Sequence, residues 1–426
     1  MEKYEEAVDY LYSRTPQFQL IGAAAYKPGL DTARCLDEAF GSPHRRYRTI
    51  HVAGTNGKGS TAHTLAAILQ SAGYKVGLYT SPHLVDFRER IRVDGEMISK
   101  DGVVNFVRRY MELNPACSPS FFELTTIMAF DWFAEAGVDI AIIEAGLGGR
   151  LDTTNIITPI LSVITNISFD HTAQLGNTLE SIAIEKAGII KPGIPVVVGE
   201  AEGVVARVFE ERASRLGSPI VFAGDNNYWS EAITAADHNL YRSTRWGDIR
   251  GELTGECQQR NAAAVMATLE CLDGHVAVGD TDVKAGFSSV TSLTHLAGRW
   301  MKTVEKPLTV CDTGHNTGGW AYTSRRLDDM PRPLAMVIGF VSDKDVDHIL
   351  EMMPSDARYY FTQASIPRAM AADVVAGKAV RFGLKGVVVP DVQDAVSRAS
   401  ADVRDTGSVF IGGSTFVVAD YLSGLR

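Results

Sequence analysis

An apolar, β-branched run at residues 50–53 leads straight into Gly54-Thr55-Asn56-Gly57-Lys58-Gly59-Ser60-Thr61, and a helical pattern continues over 62–71. Strand, glycine-rich turn and helix in that order make a phosphate cradle. Glycines let the backbone curl around an anion, the first helical N–H groups face it, and Lys58 adds positive charge. The spacing is tighter than the common G-x-x-x-x-G-K-[ST] loop, and Gly59 separates Lys58 from Ser60. The element points to an α/β fold that binds a nucleotide phosphate, the alternative being an ordinary glycine-rich βα turn.

After the loop helix, Gly73 closes a turn and residues 75–79 resume as a strand. That βαβ unit favours a parallel sheet. Residues 121–136 read as a buried helix ended by Gly137, and 138–144 as a buried strand ending in Glu144. Ligands of open α/β sheets gather at the carboxyl ends of strands, which places Glu144 on the rim of the phosphate loop. A further strand at 161–165 leads into Asn166-Ile167-Ser168-Phe169-Asp170-His171. Thr178 is expected to cap a helix running to Gly188, and a strand is expected over 195–198.

Elsewhere in this half, a helix is expected over 2–14, stopped by Thr15-Pro16, then a turn at Lys27-Pro28-Gly29-Leu30 and a short helix to Phe40 with Asp31 as its cap. The charged segment 86–92 reads as an ordered surface loop near the site or a solvated charge run. Residues 225–256 suggest a small β insertion of unspecified register. Helices are expected over 258–272 and 280–287, and 291–299 is the expected interdomain linker. A second α/β series follows, with strands at 308–312, 334–339, 359–362, 386–389 and 409–411.

A chain of 426 residues exceeds one ordinary core. The expected architecture is α/β, with a large P-loop-containing parallel-sheet nucleotide-binding domain, 1–296, and a smaller Rossmann-like C-terminal domain, 297–426. A net charge of -10 argues against a nucleic-acid partner. Five cysteines, scattered and without a C-x-x-C pair, suit a reducing cytoplasm and suggest neither disulfides nor zinc. The acidic start carries no apolar signal region, and no apolar run approaches ~18 residues, so no membrane partner is expected.

Bound phosphates call for a hard cation, and Ser81, Glu144 and the hydroxyls of Ser60 and Thr61 offer oxygens. Chemistry alone leaves His171 open between a satisfied polar residue and a metal ligand or acid–base group. The cluster Cys311-Asp312-Thr313-Gly314-His315-Asn316 ends a strand of the second series. It reads as an ordinary βα turn or as a second polar rim, the two domains then facing a shared cleft. Lys186 reads as a surface helix lysine.

Several longer segments stand in a fixed order along the chain. They are His51-Val52-Ala53-Gly54-Thr55-Asn56-Gly57-Lys58-Gly59-Ser60-Thr61, Thr80-Ser81-Pro82-His83-Leu84, Glu144-Ala145-Gly146-Leu147-Gly148-Gly149-Arg150-Leu151-Asp152 and Phe169-Asp170-His171. Glu185-Lys186-Ala187-Gly188-Ile189, Gly298-Arg299, His315-Asn316 and Asp343-Lys344-Asp345 continue the series. Together they span essentially the whole chain, which resembles the folylpolyglutamate synthase/dihydrofolate synthase family, within the Mur ligase superfamily, in the family's own order.

The resemblance implies an ATP-dependent amide ligase that joins a pterin-linked carboxylate, dihydropteroate or a reduced folate, to L-glutamate through an acyl phosphate. It implies that Thr55, Asn56, Gly57, Lys58, Gly59 and Ser60 hold ATP phosphates, with Asn261, Arg299 and Asp312 completing the nucleotide site. Ser81, Glu144 and His171 would ligate Mg²⁺. Lys186 matches a carbamylated lysine that organises a second ion. Lys58, Lys186 and His315 would be catalytic, His315 acting on glutamate and the developing intermediate. Pterin contacts would come from Gly29, Leu30, Phe121, Phe122, Glu123, Leu151, Asp152 and Thr153, although Glu123 also suits a helix N-terminal acid. A monomer is expected. Two departures stand out: Cys257-Gln258 where the family often has His-Gln, and Asp312-Thr313-Gly314-His315-Asn316-Thr317 in place of D-V-A-H-N-P.

Two rival readings remain at this point. A ligase acting on a UDP-linked wall precursor would keep the loop and the lysine but lack Ser81-Pro82-His83 and Phe121-Phe122-Glu123. A non-catalytic nucleotide-binding module would leave the second-domain cluster unexplained.

Overall fold

The computed structural model describes residues 3–15 and 29–425; Pro16 and the Lys27-Pro28 part of the expected turn lie outside them. Packing divides the chain into two units. The first runs to His83, resumes over Phe87–Ile167 and ends with Thr172–Leu296; the second comprises Leu84–Asp86, Ser168–His171 and Ala297–Arg426.

The strands of the first unit are β1 (Arg48–Ala53), β2 (Val76–Tyr79), β3 (Ile91–Val93), β4 (Glu96–Met97), β5 (Ile140–Glu144), β6 (Leu161–Asn166), β7 (Val196–Glu200) and β8 (Ile220–Phe222). They form one sheet in the order β4-β3-β2-β5-β1-β6-β7-β8. From β2 to β8 all pairs are parallel, while β3 and β4 join antiparallel. Both faces are covered, so the central strands are apolar throughout instead of alternating. In β5, Ile140 and Ile142 enter one core cluster and Ala141 and Ile143 another, on the opposite face.

Three more strands, β9 (Trp229–Thr234), β10 (Asn239–Ser243) and β11 (Gly247–Gly251), form an antiparallel sheet in which Tyr241 faces Ala232 and Ile249. Tyr241, Trp246 and Ile249 bury themselves with Val265 and Met266 of the helix Glu256–Cys271. This supplies the register that composition left unspecified.

The second unit has β12 (Met301–Glu305), β13 (Leu308–Cys311), β14 (Leu334–Ile338), β15 (Arg358–Phe361), β16 (Lys385–Val388) and β17 (Ser408–Gly412), ordered β12-β13-β17-β14-β15-β16. Only β12 is antiparallel to its neighbour. Leu334, Met336 and Ile338 of β14 enter one cluster, and Ala335 and Val337 the other. Helices therefore cover both faces of this sheet too.

Three expectations need correction. Part of segment 86–92 is the strand β3, and Arg90 and Arg92 are 3% and 6% exposed. Each spends an N–H locally: Arg90 Nε donates to His83 Nδ1 at 2.8 Å, and Arg92 Nη1 to Gly95 O at 2.9 Å. The expected linker, 291–299, overlaps a helix, Val290–Thr294, whose Val290 and Thr294 are buried, so its first residues belong to the packed unit. Asp31 is the first residue of its helix; Leu30 occupies the cap position and no side chain caps it.

The helix Phe121–Ala136 begins with a capping box. The Ser120 hydroxyl accepts the Glu123 N–H at 3.3 Å, and Glu123 Oε2 accepts the Ser120 N–H at 2.7 Å. Ser120→Ala should cost about 1 kcal/mol of unfolding free energy. Urea titration followed by tryptophan fluorescence measures this, and an unchanged midpoint would show the cap to be energetically idle.

Candidate functional site

β1 lies between β5 and β6, so the carboxyl ends of three adjacent parallel strands bring the phosphate loop, Glu144 and Asn166 onto one rim. The loop is fastened to the end of β6. Thr55 N–H donates to Asn166 O and Asn56 N–H to Asn166 Oδ1, both at 2.9 Å, while Thr165 Oγ1 donates to Asn56 O at 2.5 Å. Gly54 and Gly57 have φ of +144° and +83°. A Cβ at Gly54 would stand 1.9 Å from Thr165 Oγ1, and one at Gly57 2.1 Å from Asn261 Oδ1.

Gly57 caps the helix Lys58–Ser71, and no side chain occupies the orphan N–H groups of its first turn. Those donors suit an anion. Two ammonium groups converge on the same loop: Lys58 Nζ reaches Gly54 O and Thr55 O at 3.1 Å, and Lys186 Nζ reaches Gly54 O at 2.8 Å. Lys186 is 4% exposed, so the surface reading of this lysine fails. Its helix, capped by Thr178 as expected, ends at Lys186 itself, over the loop.

From the helix Glu256–Cys271, Gln258 Nε2 donates to Ser60 Oγ at 3.3 Å and Asn261 Nδ2 to Gln258 Oε1 at 2.9 Å. The pair Cys257-Gln258 stands out in sequence only as a departure from the family and gives Gln258 no role of its own; the signal for one is its place one turn before Asn261 on the same helix face.

The structure brings Ser81 and Glu144 together, the Ser81 N–H donating to Glu144 Oε2 at 3.1 Å. Glu144 is buried, and Thr61 Oγ1 is buried with no partner among the described residues. Among those residues no three His, Cys, Asp or Glu side chains form a ready metal cage. A single buried carboxylate on the rim of a phosphate loop fits Mg²⁺, which takes one or two carboxylates and completes its shell with phosphate oxygens and water.

The remaining first-unit residues surround an aromatic group. Phe121 stacks on Tyr12 at 5.4 Å, meets Phe87 edge-on at 5.8 Å and lies 5.3 Å from the Arg90 guanidinium. Phe122 packs so tightly under Gly146 that a Cβ there would stand 2.4 Å from its ring. Glu123 spends Oε2 on the capping box. Asp152 accepts N–H groups from Leu147 at 2.8 Å and Thr154 at 3.0 Å, and burial pushes its carboxyl up. Thr153 is buried and Leu151 half-buried beside it, whereas Leu30 and Gly29 are half-buried at the start of the helix Asp31–Ala39.

In the second unit the turn after β13 gathers the C-terminal candidates. Asp312 accepts the Trp300 N–H at 2.8 Å and the Gly314 N–H at 2.7 Å. Arg299 Nη1 is held at 3.1 Å by Gly298 O and also bonds Thr313 Oγ1. His315 places Nδ1 3.0 Å from Thr313 O and Nε2 3.3 Å from Asp170 Oδ2. Asp170 also accepts the Asn316 amide at 3.0 Å, pairs with Lys344, and accepts the His171 N–H at 2.8 Å, His171 having φ of +48°.

Burial pushes the Asp170 carboxyl up, but the His315 hydrogen bond and the His171, His315 and Lys344 charges outweigh it and hold it well below the usual range. Asp170 and Lys344 were quoted only as motif letters by the sequence reading. Their partnership across 174 positions is legible only in three dimensions.

Family models match residues 52–269 as the Mur ligase middle domain and 298–415 as the Mur ligase glutamate ligase domain. The chain is 35% identical over 363 residues to the dihydrofolate synthase/folylpolyglutamate synthase of Bacillus subtilis, covering 81% of this chain and 83% of that protein. The chain belongs to the folylpolyglutamate/dihydrofolate synthase family. It is therefore an ATP-dependent ligase of the Mur type.

Among solved structures of the family, E. coli FolC in complex with DHPP and ADP superposes with a TM-score of 0.86 at 29% identity, covering 100% of this chain and 98% of that one. A bifunctional synthase with Mn, AMPPNP and L-glutamate bound gives 0.82 at 28% identity, covering 100% and 98%. In two probable bifunctional folylpolyglutamate synthase/dihydropteroate synthases, from Haloferax volcanii and Halobacterium salinarum, the chain spans only 50% and 51% of the protein.

Beneath the loop, His51 of β1 is wholly buried, with Nε2 2.8 Å from Thr154 Oγ1. Burial and then the Lys191 charge push its pKa down to about 3. The unfolded ring titrates near ~6.5. Stability from the neutral ring is complete above that pH and declines toward about 3, because the unfolded chain takes up a proton that the folded ring refuses. His51→Gln should flatten this acid loss by up to ~1.4 kcal/mol per pH unit in urea titrations at successive pH values. An identical acid dependence in both proteins would show that the folded ring is charged.

Proposed function

We propose that the chain adds L-glutamate to the carboxylate of dihydropteroate, of a reduced folate, or of both, through an acyl phosphate. The observation that carries this reading is Lys186, buried with its Nζ on the carbonyl of Gly54 in the phosphate loop. A family lysine stands on the loop that would hold the reacting phosphate. The family's solved complexes with ADP, DHPP and L-glutamate support the choice of ligands.

In this reading residues 1–296 form the ATPase and pterin domain and 297–426 the glutamate ligase domain. Backbone N–H groups of residues 55–60 hold the ATP phosphates, and Lys58 releases its two carbonyl partners to face them. Asn261, Arg299 and Asp312 complete the nucleotide site. Ser81, Glu144 and His171 would hold Mg²⁺, two ions being expected with Lys186 as its carbamate. The metal supplies charge neutralisation for the phosphates. The pterin would lie against Phe121 and Phe122, with Gly29, Leu30, Glu123, Leu151, Asp152 and Thr153 around it. Among the described residues the capping box leaves Glu123 Oε1 without a partner, open for that task.

A carboxylate oxygen of the pterin substrate attacks the γ-phosphorus, and the bond to ADP breaks. The glutamate amine then attacks the acyl carbon, loses a proton, and expels inorganic phosphate. Helix N–H groups and Lys58 stabilise the first transition state, and His315 the charge developing in the second. His315 is suited to this because Thr313 O and Asp170 fix both ring nitrogens. The reading includes a monomer working in the cytoplasm, and the free state of all five cysteines suits a reducing compartment.

Glutamate-dependent ADP release should appear with dihydropteroate or a reduced folate present. Absence of stimulation by either, in folded protein, would overturn the assignment. Lys186→Ala should lose most turnover, by roughly a hundredfold or more. It should regain part of it with added short carboxylates, whereas undiminished turnover in the variant would eliminate the carbamate.

A further inference from the structure

The turn that carries Arg299 is clamped twice to the turn that carries His315. At one end the Asp312 carboxylate takes the backbone N–H groups of Trp300 and Gly314. At the other, Gly298 O accepts three donors: Thr313 N–H at 3.0 Å, Thr313 Oγ1 at 3.1 Å and Arg299 Nη1 at 3.1 Å. The same Thr313 hydroxyl accepts from Arg299 Nη1. A hydroxyl has one proton to give and lone pairs to receive, so both bonds coexist.

Thr313 is 6% exposed, and its methyl group lies where a Cβ on Gly298 would come within 2.7 Å. Burial and β-branching together restrict its χ1, and glycine at 298 leaves room for the methyl group. Arg299 Nε and Nη2 have no protein partner among the described residues, and no carboxylate there pairs with the guanidinium. A half-buried guanidinium with one corner fastened and the other donors unspent is suited to an anionic ligand. Position 313 is also where the chain departs from its family's D-V-A-H-N-P run, and a valine there would offer no oxygen.

We propose that Thr313 is a positioning residue of the nucleotide site, its hydroxyl fixing one corner of Arg299 so that the remaining N–H groups are presented to ATP. The inference rests on the assignment of Arg299 to ATP made above. Fixing the side chain in advance removes rotamer entropy that binding would otherwise have to overcome. The benefit falls on nucleotide affinity, and the chemical step is untouched.

The test compares Thr313→Val, Thr313→Ser, Arg299→Gln and the Thr313→Val/Arg299→Gln pair. KM for ATP and kcat are measured at saturating glutamate and pterin, with ADP affinity by calorimetry. Thr313→Val should raise KM for ATP and weaken ADP roughly three- to tenfold, with kcat changed by less than about twofold. Thr313→Ser should restore both constants, and Thr313→Val should add almost nothing once Arg299 is glutamine. If Arg299→Gln weakens ATP while Thr313→Val does not, or if Thr313→Val acts equally without Arg299, the positioning role is wrong. If Arg299→Gln leaves ATP affinity unchanged, the ATP assignment of Arg299 is wrong and the inference falls with it.

Discussion

The approach of the phosphate loop to the end of β6 is the contact on which the first unit's site depends. Gly54 leaves no room for a side chain because Thr165 stands against it, and Thr165 and Asn166 take three polar groups of the loop. A loop held only at its ends would sample many shapes. Tied to the neighbouring strand, it keeps its N–H groups convergent before any ligand arrives, and that preorganisation is what an anion site needs. Register along β1, β5 and β6 then determines where Glu144 and Asn166 stand.

The second unit solves a different problem with one carboxylate. Asp170 is buried, and it would be costly there without compensation. Lys344, His315, Asn316 and the backbone N–H of His171 provide it from separate segments. The four-residue stretch containing Asp170 packs with this unit although its flanking residues belong to the first. Side-chain chemistry, more than chain continuity, decides that membership.

Much of this was legible in the sequence where local rules and burial agree. The helix Phe121–Ala136 could be read to the residue because serine, glutamate and glycine mark its ends and its interior is apolar. Strands β5 and β6 were readable because parallel strands covered on both faces leave continuous apolar runs. Composition misled at Arg90, since a buried arginine bonded to His83 and lying over Phe121 looks like any surface charge in a string of letters. It misled again at Lys186, whose burial comes from β1 and its loop, 132 positions away. Residues 290–294 had the polar look of a linker, yet Thr294 turns its hydroxyl to Val290 O and His63, and the segment packs as a helix.

Lys58 and Lys186 both rest on the carbonyl of Gly54. Two ammonium ions sharing one acceptor repel each other, and the loop stores that repulsion while both remain amines. An incoming polyphosphate would relieve it by drawing Lys58 away. Carbamylation of Lys186 would relieve it differently, by reversing the sign of one partner and turning neighbours that push apart into an attracting pair. On the carbamate proposed above, the cradle would meet its nucleotide with one cation and one anion at Gly54, and dissolved carbon dioxide would then help set the site's charge before any phosphate arrives.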